Sequence, residues 1–408
     1  MLFKTTLSSC KYFLPIVKFN GVGENEPTLD LVKHLFQRMG YRIHFHEHMD
    51  WDILWSHTYP FYSLAKEMAN LKTNQKVNHF PGSGFITQKA NLATLPINHI
   101  PKSFSLPNNK ENFLDFAKKN KDKTWLMKSS SHRGMKLFNG TENIEISGSF
   151  IQEFIKNPLL VSGKKFDIGI YVMLTSIDPL RVYIYSGDVL LRFCKQDYFP
   201  FNADSPESYI VGDDYLPIWE VQDLKFYYSE LNYTAKESLN AYLHSEVRFD
   251  FILDEDMNVF LLEVNMSPNL SAAHFPDNRL LYEQIIYNSL SLVGLVRKFP
   301  DTFVYRGEAE VSDKDIQVFS EHCASEVCQL SCKSFKCTVC NQCIQKEMKQ
   351  VAKSAYLEFI NRGKYRRVLP QTTTRVEIID NQAEPQSTNA LMRLWYQGKC
   401  LQDTAWCY

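Results

Sequence analysis

Arg248-Phe-Asp-Phe-Ile-Leu-Asp-Glu-Asp-Met-Asn-Val-Phe-Leu-Leu-Glu-Val-Asn-Met-Ser-Pro268 is the stretch on which the reading of this chain turns. Two apolar runs flank the turn-forming residues 254–258, a pattern that predicts an antiparallel hairpin. With 255–258 as the loop, Asp254 faces Val259, and counting back sets Asp250 opposite Glu263. Period-two alternation then puts Asn265 on the face of Glu263. Two carboxylates and an amide oxygen are thus expected together at the open end of one hairpin. Such carboxylates either raise a pKa or recruit a cation. Hard oxygen donors suit Mg²⁺, which keeps several waters and shares its shell with nucleotide phosphates. The plainer reading is a solvated hairpin end with incidental acids; the apolar neighbours and the abrupt Ser267-Pro268 stop count against it.

Working outward, Ile168-Gly-Ile-Tyr-Val-Met-Leu174, Arg181-Val-Tyr-Ile-Tyr185 and Val189-Leu-Leu-Arg-Phe193 are short, β-branched or aromatic runs between turn residues and read as strands. Arg192 lies inside the last of them, where a guanidinium calls for an anionic partner. Phe166 and Asp167 follow Lys164 and Lys165. Further upstream, Trp125-Leu-Met-Lys128 reads as a strand entering the polar loop that opens at Ser129. A loop of that kind can lay backbone N–H groups against phosphates, with Lys128 as a fixed charge, although serine runs are commonly only turns. Helices are expected over 29–39 and 111–120. His44, His46 and His48 alternate along one predicted strand, where a solvated face is a commoner explanation than a metal site.

Composition narrows the classes. The chain has 408 residues, 44% hydrophobic and 13% aromatic, which excludes extended low-complexity disorder. Lys plus Arg (45) nearly balances Asp plus Glu (46), so no broad electrostatic grip on nucleic acid is expected. The longest apolar helical stretch, 285–296, is too short and polar to span a bilayer, and the first residues make a poor signal peptide. These features predict a cytoplasmic protein with no membrane partner.

Six cysteines crowd together at Cys323, Cys328, Cys332, Cys337, Cys340 and Cys343. The two C-x-x-C spacings suit a structural zinc thiolate site in a reducing compartment, and the same residues could pair as disulfides in an oxidising one. The basic run Arg362-Gly-Lys-Tyr-Arg-Arg367 is either a solvated face or a docking strip for an acidic peptide. Asn139-Gly-Thr141 and Asn232-Tyr-Thr234 match the N-glycosylation pattern, which a cytoplasmic location would leave unused.

In order along the chain, Val77-Asn-His-Phe-Pro-Gly82 with Lys89, Trp125-Leu-Met-Lys128, Phe150-Ile-Gln-Glu-Phe-Ile155 with Pro158, Lys165-Phe-Asp167, the run 171–180, Arg192-Phe193, and the hairpin through Pro268 resemble the tubulin tyrosine ligase-like family of ATP-grasp amino-acid ligases. The resemblance covers about residues 45–290. It implies an α/β (α+β) chain: an ATP-grasp fold with a small N-terminal α/β domain (1–75), a central subdomain (76–155), a C-terminal subdomain holding the metal (156–300) and a cysteine-rich extension (301–408).

The resemblance further implies that Lys128 touches the nucleotide phosphates, and that Gln152, Phe154 and Ile155 form the hinge against adenine. Lys165 and Asp167 would hold adenine or ribose, and Arg192 the phosphate or acyl-phosphate. Asp250, Glu263 and Asn265 would hold Mg²⁺. ATP and Mg²⁺ are the implied cofactors. A free amino acid, with glutamate as the expected donor, and the acidic tail of tubulin or microtubules are the implied partners. Three features depart from the family pattern. Gly169 stands where an arginine usually follows the Phe-Asp-aliphatic triplet, and Arg133 or Lys136 would have to replace that charge. The stretch 192–250 is short, and the loop after Lys128 is not glycine-rich. The alternatives are therefore a catalytically impaired nucleotide- or microtubule-binding scaffold, and a ligase acting on a non-tubulin acidic protein.

Overall fold

The computed structural model describes residues 14–45, 50–72, 74–129, 135–139, 149–243, 252–256, 258–296, 311–372 and 387–408. It is a mixed α/β chain that divides into two compact units, Met1–Asn78 with Tyr171–Gly187 and Asn269–Tyr408, and His79–Ile170 with Asp188–Pro268. Among the described residues no helix is long and apolar enough to cross a membrane.

The first unit opens with a parallel sheet in the order Arg42–His44, Ile16–Asn20, Ile53–Ser56, Lys76–Val77. The helix Asp30–Arg38 makes the crossover from the first strand. Its apolar positions Leu31, Val32, Leu35 and Phe36 recur at helical spacing and are buried, with Asp30 in the first turn and Arg38 in the last, as the helix dipole favours. The helix Arg279–Leu292 buries Tyr282, Ile285, Ile286 and Leu290 in the same cluster, and the Tyr41 hydroxyl donates to the Leu295 carbonyl at 2.8 Å.

The chain beyond residue 300, polar in composition and expected to add little to a catalytic core, belongs to this first unit and builds a core of its own. The helices Lys346–Asn361 and Thr388–Gln402 build a core around Met392, Trp395, Tyr396 and Trp406. The strand Tyr365–Leu369 adds to the antiparallel pair Val172–Ile177 and Leu180–Tyr185 as the third strand of a sheet. A buried ion pair fastens the join: Arg181 donates from Nε and Nη2 to the Glu358 carboxylate, both at 2.9 Å, and the Tyr183 hydroxyl donates to Glu358 at 2.9 Å. Two arginines of the basic run are likewise structural. Arg362 stacks 3.7 Å from the centre of the Phe359 ring, and buried Arg367 lies 3.9 Å over Tyr396.

The clustered cysteines pair as disulfides: Cys323–Cys340, Cys328–Cys337 and Cys332–Cys343, with Cys400–Cys407 beyond them. Of the readings left open for these cysteines, this is the disulfide one. His322 and the sulfurs of Cys328 and Cys337 do lie within 4.8 Å of one another, but those two sulfurs are bonded and offer no thiolate. Spacing alone cannot separate the outcomes, because both need sulfurs brought together and differ only in oxidation state.

In the second unit an antiparallel sheet runs Ser103–Ser105, Ser149–Glu153, Thr124–Ser129, Lys136–Asn139. The helix Lys110–Lys119 lays Phe113 edge-on against fully buried Trp125, ring centres 5.1 Å apart. A second antiparallel sheet runs Leu160–Val161, Lys164–Gly169, Leu190–Phe193, Leu216–Pro217. The predicted strand 168–174 is thus two strands, one on each side of residues 170–171.

Candidate functional site

The deciding hairpin forms between Ile252–Leu253 and Val259–Phe260, with Ile252 opposite Phe260 and Leu253 opposite Val259. That register is one residue off the expected one, so Asp254 faces Asn258 rather than Val259. The cause is local. The Asp254 carboxylate accepts from the backbone N–H groups of Asp256 (3.1 Å) and Asn258 (2.8 Å) and from the Asn258 amide (2.9 Å), which draws Asn258 out of the loop and into the pair. Asp250 lies outside the described residues. Glu263 and Asn265 follow the second strand in irregular chain, and both are exposed. The Glu263 carboxylate is met by the Lys89 ammonium at 3.3 Å. Lys89 is separated from it by most of the unit, so no local sequence signal pairs them.

Around this carboxylate the second unit carries three more cations. Lys128, near the end of the strand Thr124–Ser129, donates to the Gln152 side-chain oxygen at 2.7 Å. Gln152 is buried on the neighbouring strand, and its amide nitrogen has no hydrogen-bond partner among the described residues. An orphaned buried donor of this kind costs free energy until something accepts from it. Lys165 is also buried; its ammonium donates to the Tyr209 carbonyl at 2.9 Å and sits 5.0 Å from the centre of the Phe154 ring. Phe154 is buried at the end of the Gln152 strand, with Ile155 half-buried after it.

Arg192 and Asp167 face each other across the strand pair Lys164–Gly169 and Leu190–Phe193 and form a bidentate ion pair, both hydrogen bonds 2.8 Å. This is the anionic partner that an arginine in an apolar strand demands. Asp167 is thereby engaged with Arg192, a partnership the family resemblance does not imply for it.

Electrostatics mark the cluster. Burial, reinforced by repulsion from Lys165 and Lys89, pushes Lys128 down to about 8, against the pull of Glu263. Burial also pushes Lys165 down to about 8, with Cys194 and Asp167 opposing. Burial raises the Asp167 carboxyl despite Arg192 beside it. Four cations thus gather about two carboxylates. Such a surplus in a poorly solvated place fits an anionic ligand, and the orphaned Gln152 amide fits the acceptor edge of a base. Glu263 and Asn265 supply a carboxylate and an amide oxygen, a donor set that suits Mg²⁺.

Sequence reasoning missed Tyr209, whose carbonyl holds Lys165, and Cys194, a buried thiol that burial pushes up to about 11. Neither stands in a motif. Of the proposed substitutes for the charge missing at Gly169, Lys136 is exposed on the strand Lys136–Asn139, while Arg133 lies outside the described residues, as do His46 and His48.

Comparison with known proteins gives the family of the chain. The family model "Tubulin-tyrosine ligase family" matches residues 66–247 and 244–302. The probable tubulin polyglutamylase ttll-15 of Caenorhabditis elegans is 35% identical over 437 aligned residues, covering 92% of this chain and 83% of that protein. The tubulin polyglutamylase TTLL6 of Mus musculus is 27% identical over 328 residues, covering 65% of this chain and 39% of that protein. Among solved structures, the C-terminal domain of K. lactis Pby1, described as an ATP-grasp enzyme interacting with the mRNA decapping enzyme Dcp2, aligns with a TM-score of 0.44 and 19% identity, covering 68% of this chain and 92% of that one. With matched segments running from residue 66 to residue 302 and a relative similar along most of its length, the chain belongs to the tubulin-tyrosine ligase family.

Proposed function

We propose that this protein is an ATP- and Mg²⁺-dependent ligase that joins an amino acid, glutamate by the names of its relatives, to a carboxylate in the acidic tail of tubulin in the cytoplasm. The observation that carries the reading is the pair of desolvated lysines, Lys128 and Lys165, beside the unpartnered amide of buried Gln152. Together they form a cleft suited to an anion and to the acceptor edge of a base. In this reading the acceptor carboxylate oxygen attacks the γ-phosphorus of ATP and ADP leaves. The donor amine then attacks the carbonyl carbon of the acyl-phosphate, releasing phosphate and a proton.

Charge accumulates on the transferring group in both steps, so positioned cations do most of the work. Lys128 binds and orients the phosphates. Arg192, fixed by two hydrogen bonds to Asp167, presents a preorganised guanidinium edge to phosphate or acyl-phosphate. Gln152, Phe154 and Ile155 line the adenine side, with Lys165 beside them. Glu263, Asn265 and Asp250 would hold Mg²⁺, which supplies neutralisation of phosphate charge when bound.

Purified protein incubated with tubulin, Mg-ATP and radiolabelled glutamate tests this. Incorporation that Asp250→Ala plus Glu263→Ala abolishes is the expected result. ATP binding without incorporation across donors and acceptors would instead identify a scaffold.

A second reading keeps the ligase and changes the acceptor to an acidic protein other than tubulin. The four disulfides favour it, because a cytosol keeps thiols reduced.

A further inference from the structure

The segment 318–344 sends Val318, Phe335, Val339 and Ile344 into the core of the helices Lys346–Asn361 and Thr388–Gln402, but its own centre is built of cystine. Its two helices, Ser320–Cys323 and Glu326–Leu330, are four and five residues long, far below the length at which a helix is stable alone. The cluster at its centre consists of Cys323, Cys328, Cys337 and Cys340, with Phe319 and Cys343 packed against it among the described residues. Cystine sulfur fills this centre, and neither short helix contributes an apolar face to replace it. Three bridges span 17, 9 and 11 residues within this one segment. The fourth, Cys400–Cys407, ties the final helix Thr388–Gln402 to the last residues of the chain. This is how small domains without a sufficient apolar core are built where the environment is oxidising, and the architecture fails where glutathione and thioredoxin keep thiols reduced. Of ten cysteines, eight are bridged, and the buried thiol of Cys194 stands at the nucleotide cleft of the other unit.

An independent feature points to the same compartment. Asn232-Tyr-Thr234 is an acceptor triplet for N-linked glycans, and Asn232 is exposed in a left-handed turn (φ +53°) between Phe226–Glu230 and the helix Ala235–Tyr242. Tyr233 beside it is 41% exposed. The triplets at Asn265 and Asn269 instead follow Glu263 closely in sequence, where a glycan would obstruct metal and nucleotide, whereas Asn232 takes part in none of the hydrogen bonds and ion pairs given above for the cleft residues.

We infer that this protein is oxidatively folded and N-glycosylated at Asn232, and that it works in an oxidising compartment, where the acceptor carboxylates within its reach belong to secreted or lumenal acidic proteins. The acceptor part rests on the second reading above, a ligase whose acceptor is an acidic protein other than tubulin, and it stands against a cytoplasmic tubulin acceptor; oxidation and glycosylation rest on neither reading.

The test uses the full-length protein expressed in eukaryotic cells, lysed into N-ethylmaleimide and then denatured. Labelling of at most two cysteines, Cys194 and Cys10, is expected, with the remaining eight becoming reactive only after reduction. Peptide N-glycosidase should increase gel mobility. Asn232→Asp, which keeps a residue tolerant of the left-handed turn, should remove one glycan step, and Thr234→Ser, which keeps both triplet and helix cap, should retain it. Labelling of the six clustered cysteines without reduction, stoichiometric zinc in the purified protein, or a glycan pattern unchanged by Asn232→Asp would each overturn the inference. Neither readout needs turnover. An oxidised, glycosylated protein that incorporates no amino acid would sink the ligase reading alone, and an active protein with reduced thiols would sink this one alone.

Discussion

Arg192 holds Asp167 by two parallel hydrogen bonds of 2.8 Å, Nε to Oδ1 and Nη2 to Oδ2, at directly paired positions of two antiparallel strands. The guanidinium is fixed on one edge and about a third exposed on its side chain, so the other edge is free to meet an anion in a defined direction. Asp167→Asn should therefore lower turnover by loosening Arg192, and Arg192→Lys should fail to rescue it, because an ammonium cannot fork. A loss of about 10²–10³-fold in kcat is expected for Arg192→Ala, in the range seen when one charge-stabilising donor is removed. A KM effect with unchanged kcat, measured by steady-state incorporation, would remove Arg192 from the chemistry.

Nucleotide affinity should weaken with alkalinity earlier than free lysines would dictate. Lys128 and Lys165 each titrate at about 8 in the folded protein against an ordinary value of 10.5. Their charges therefore fade from about pH 7.5 upward, where an unperturbed lysine stays charged. The sign for stability is opposite. Between about pH 8 and 9 the unfolded chain keeps protons that the folded chain has released, so raising pH favours folding of the ligand-free protein by up to about 1.4 kcal/mol per proton per pH unit. Calorimetric titration with ATP across that window checks the first effect, and an affinity flat to pH 9.5 would refute it. Urea melts check the second.

Glu358→Ala should be severely destabilising, by about 3–5 kcal/mol, since it strands the buried Arg181 guanidinium and leaves the Tyr183 hydroxyl with only Tyr396 as its partner among the hydrogen bonds seen here. Glu358→Gln should cost less, as it keeps hydrogen-bonding capacity while losing charge. Chemical denaturation followed by tryptophan fluorescence distinguishes them. Equal, small effects would show that the ion pair is not what holds the late strand to its sheet.

Gly169→Arg restores the charge common in the family at this position. The backbone admits it narrowly: an added Cβ would lie 3.3 Å from the Leu190 Cβ and 3.6 Å from its carbonyl oxygen, so Leu190 must yield by a few tenths of an ångström. Gly169→Ala isolates that steric cost, expected to be about 1 kcal/mol. If the missing charge limits turnover, Gly169→Arg should exceed Gly169→Ala in kcat by at least about tenfold, equivalent to about 1.4 kcal/mol of transition-state stabilisation. Equal rates would show that other cations suffice.

Local pattern carried much of the fold. The helix expected at 29–39 is Asp30–Arg38, and that expected at 111–120 is Lys110–Lys119, because each has apolar residues at helical spacing and terminal charges that suit its dipole. Where the reading slipped, a side chain or a change of partner had intervened. Asp254 capped its own turn and moved the hairpin register by one. The apolar run from residue 168 hides a change of sheet, since Gly169 pairs with Leu190 while Val172 pairs with Ile184. Hydropathy does not record which neighbour a strand will choose. The site was legible as a list of charges; the pairing of Lys89 with Glu263 was not, because proximity across that much chain is decided by topology. Nor could spacing choose among the fifteen pairings open to six cysteines.

The strand Tyr365–Leu369 lies beside Leu180–Tyr185, a neighbour made almost two hundred residues earlier. During synthesis, the sheet begun at residue 172 must wait with one edge bare until residues 365–369 have been made, whereas every residue of the unit that carries the candidate site has been translated once Pro268 is added. The cleft is therefore expected to be born first, and a nascent chain halted before residue 365 would leave that sheet edge open to any passing strand.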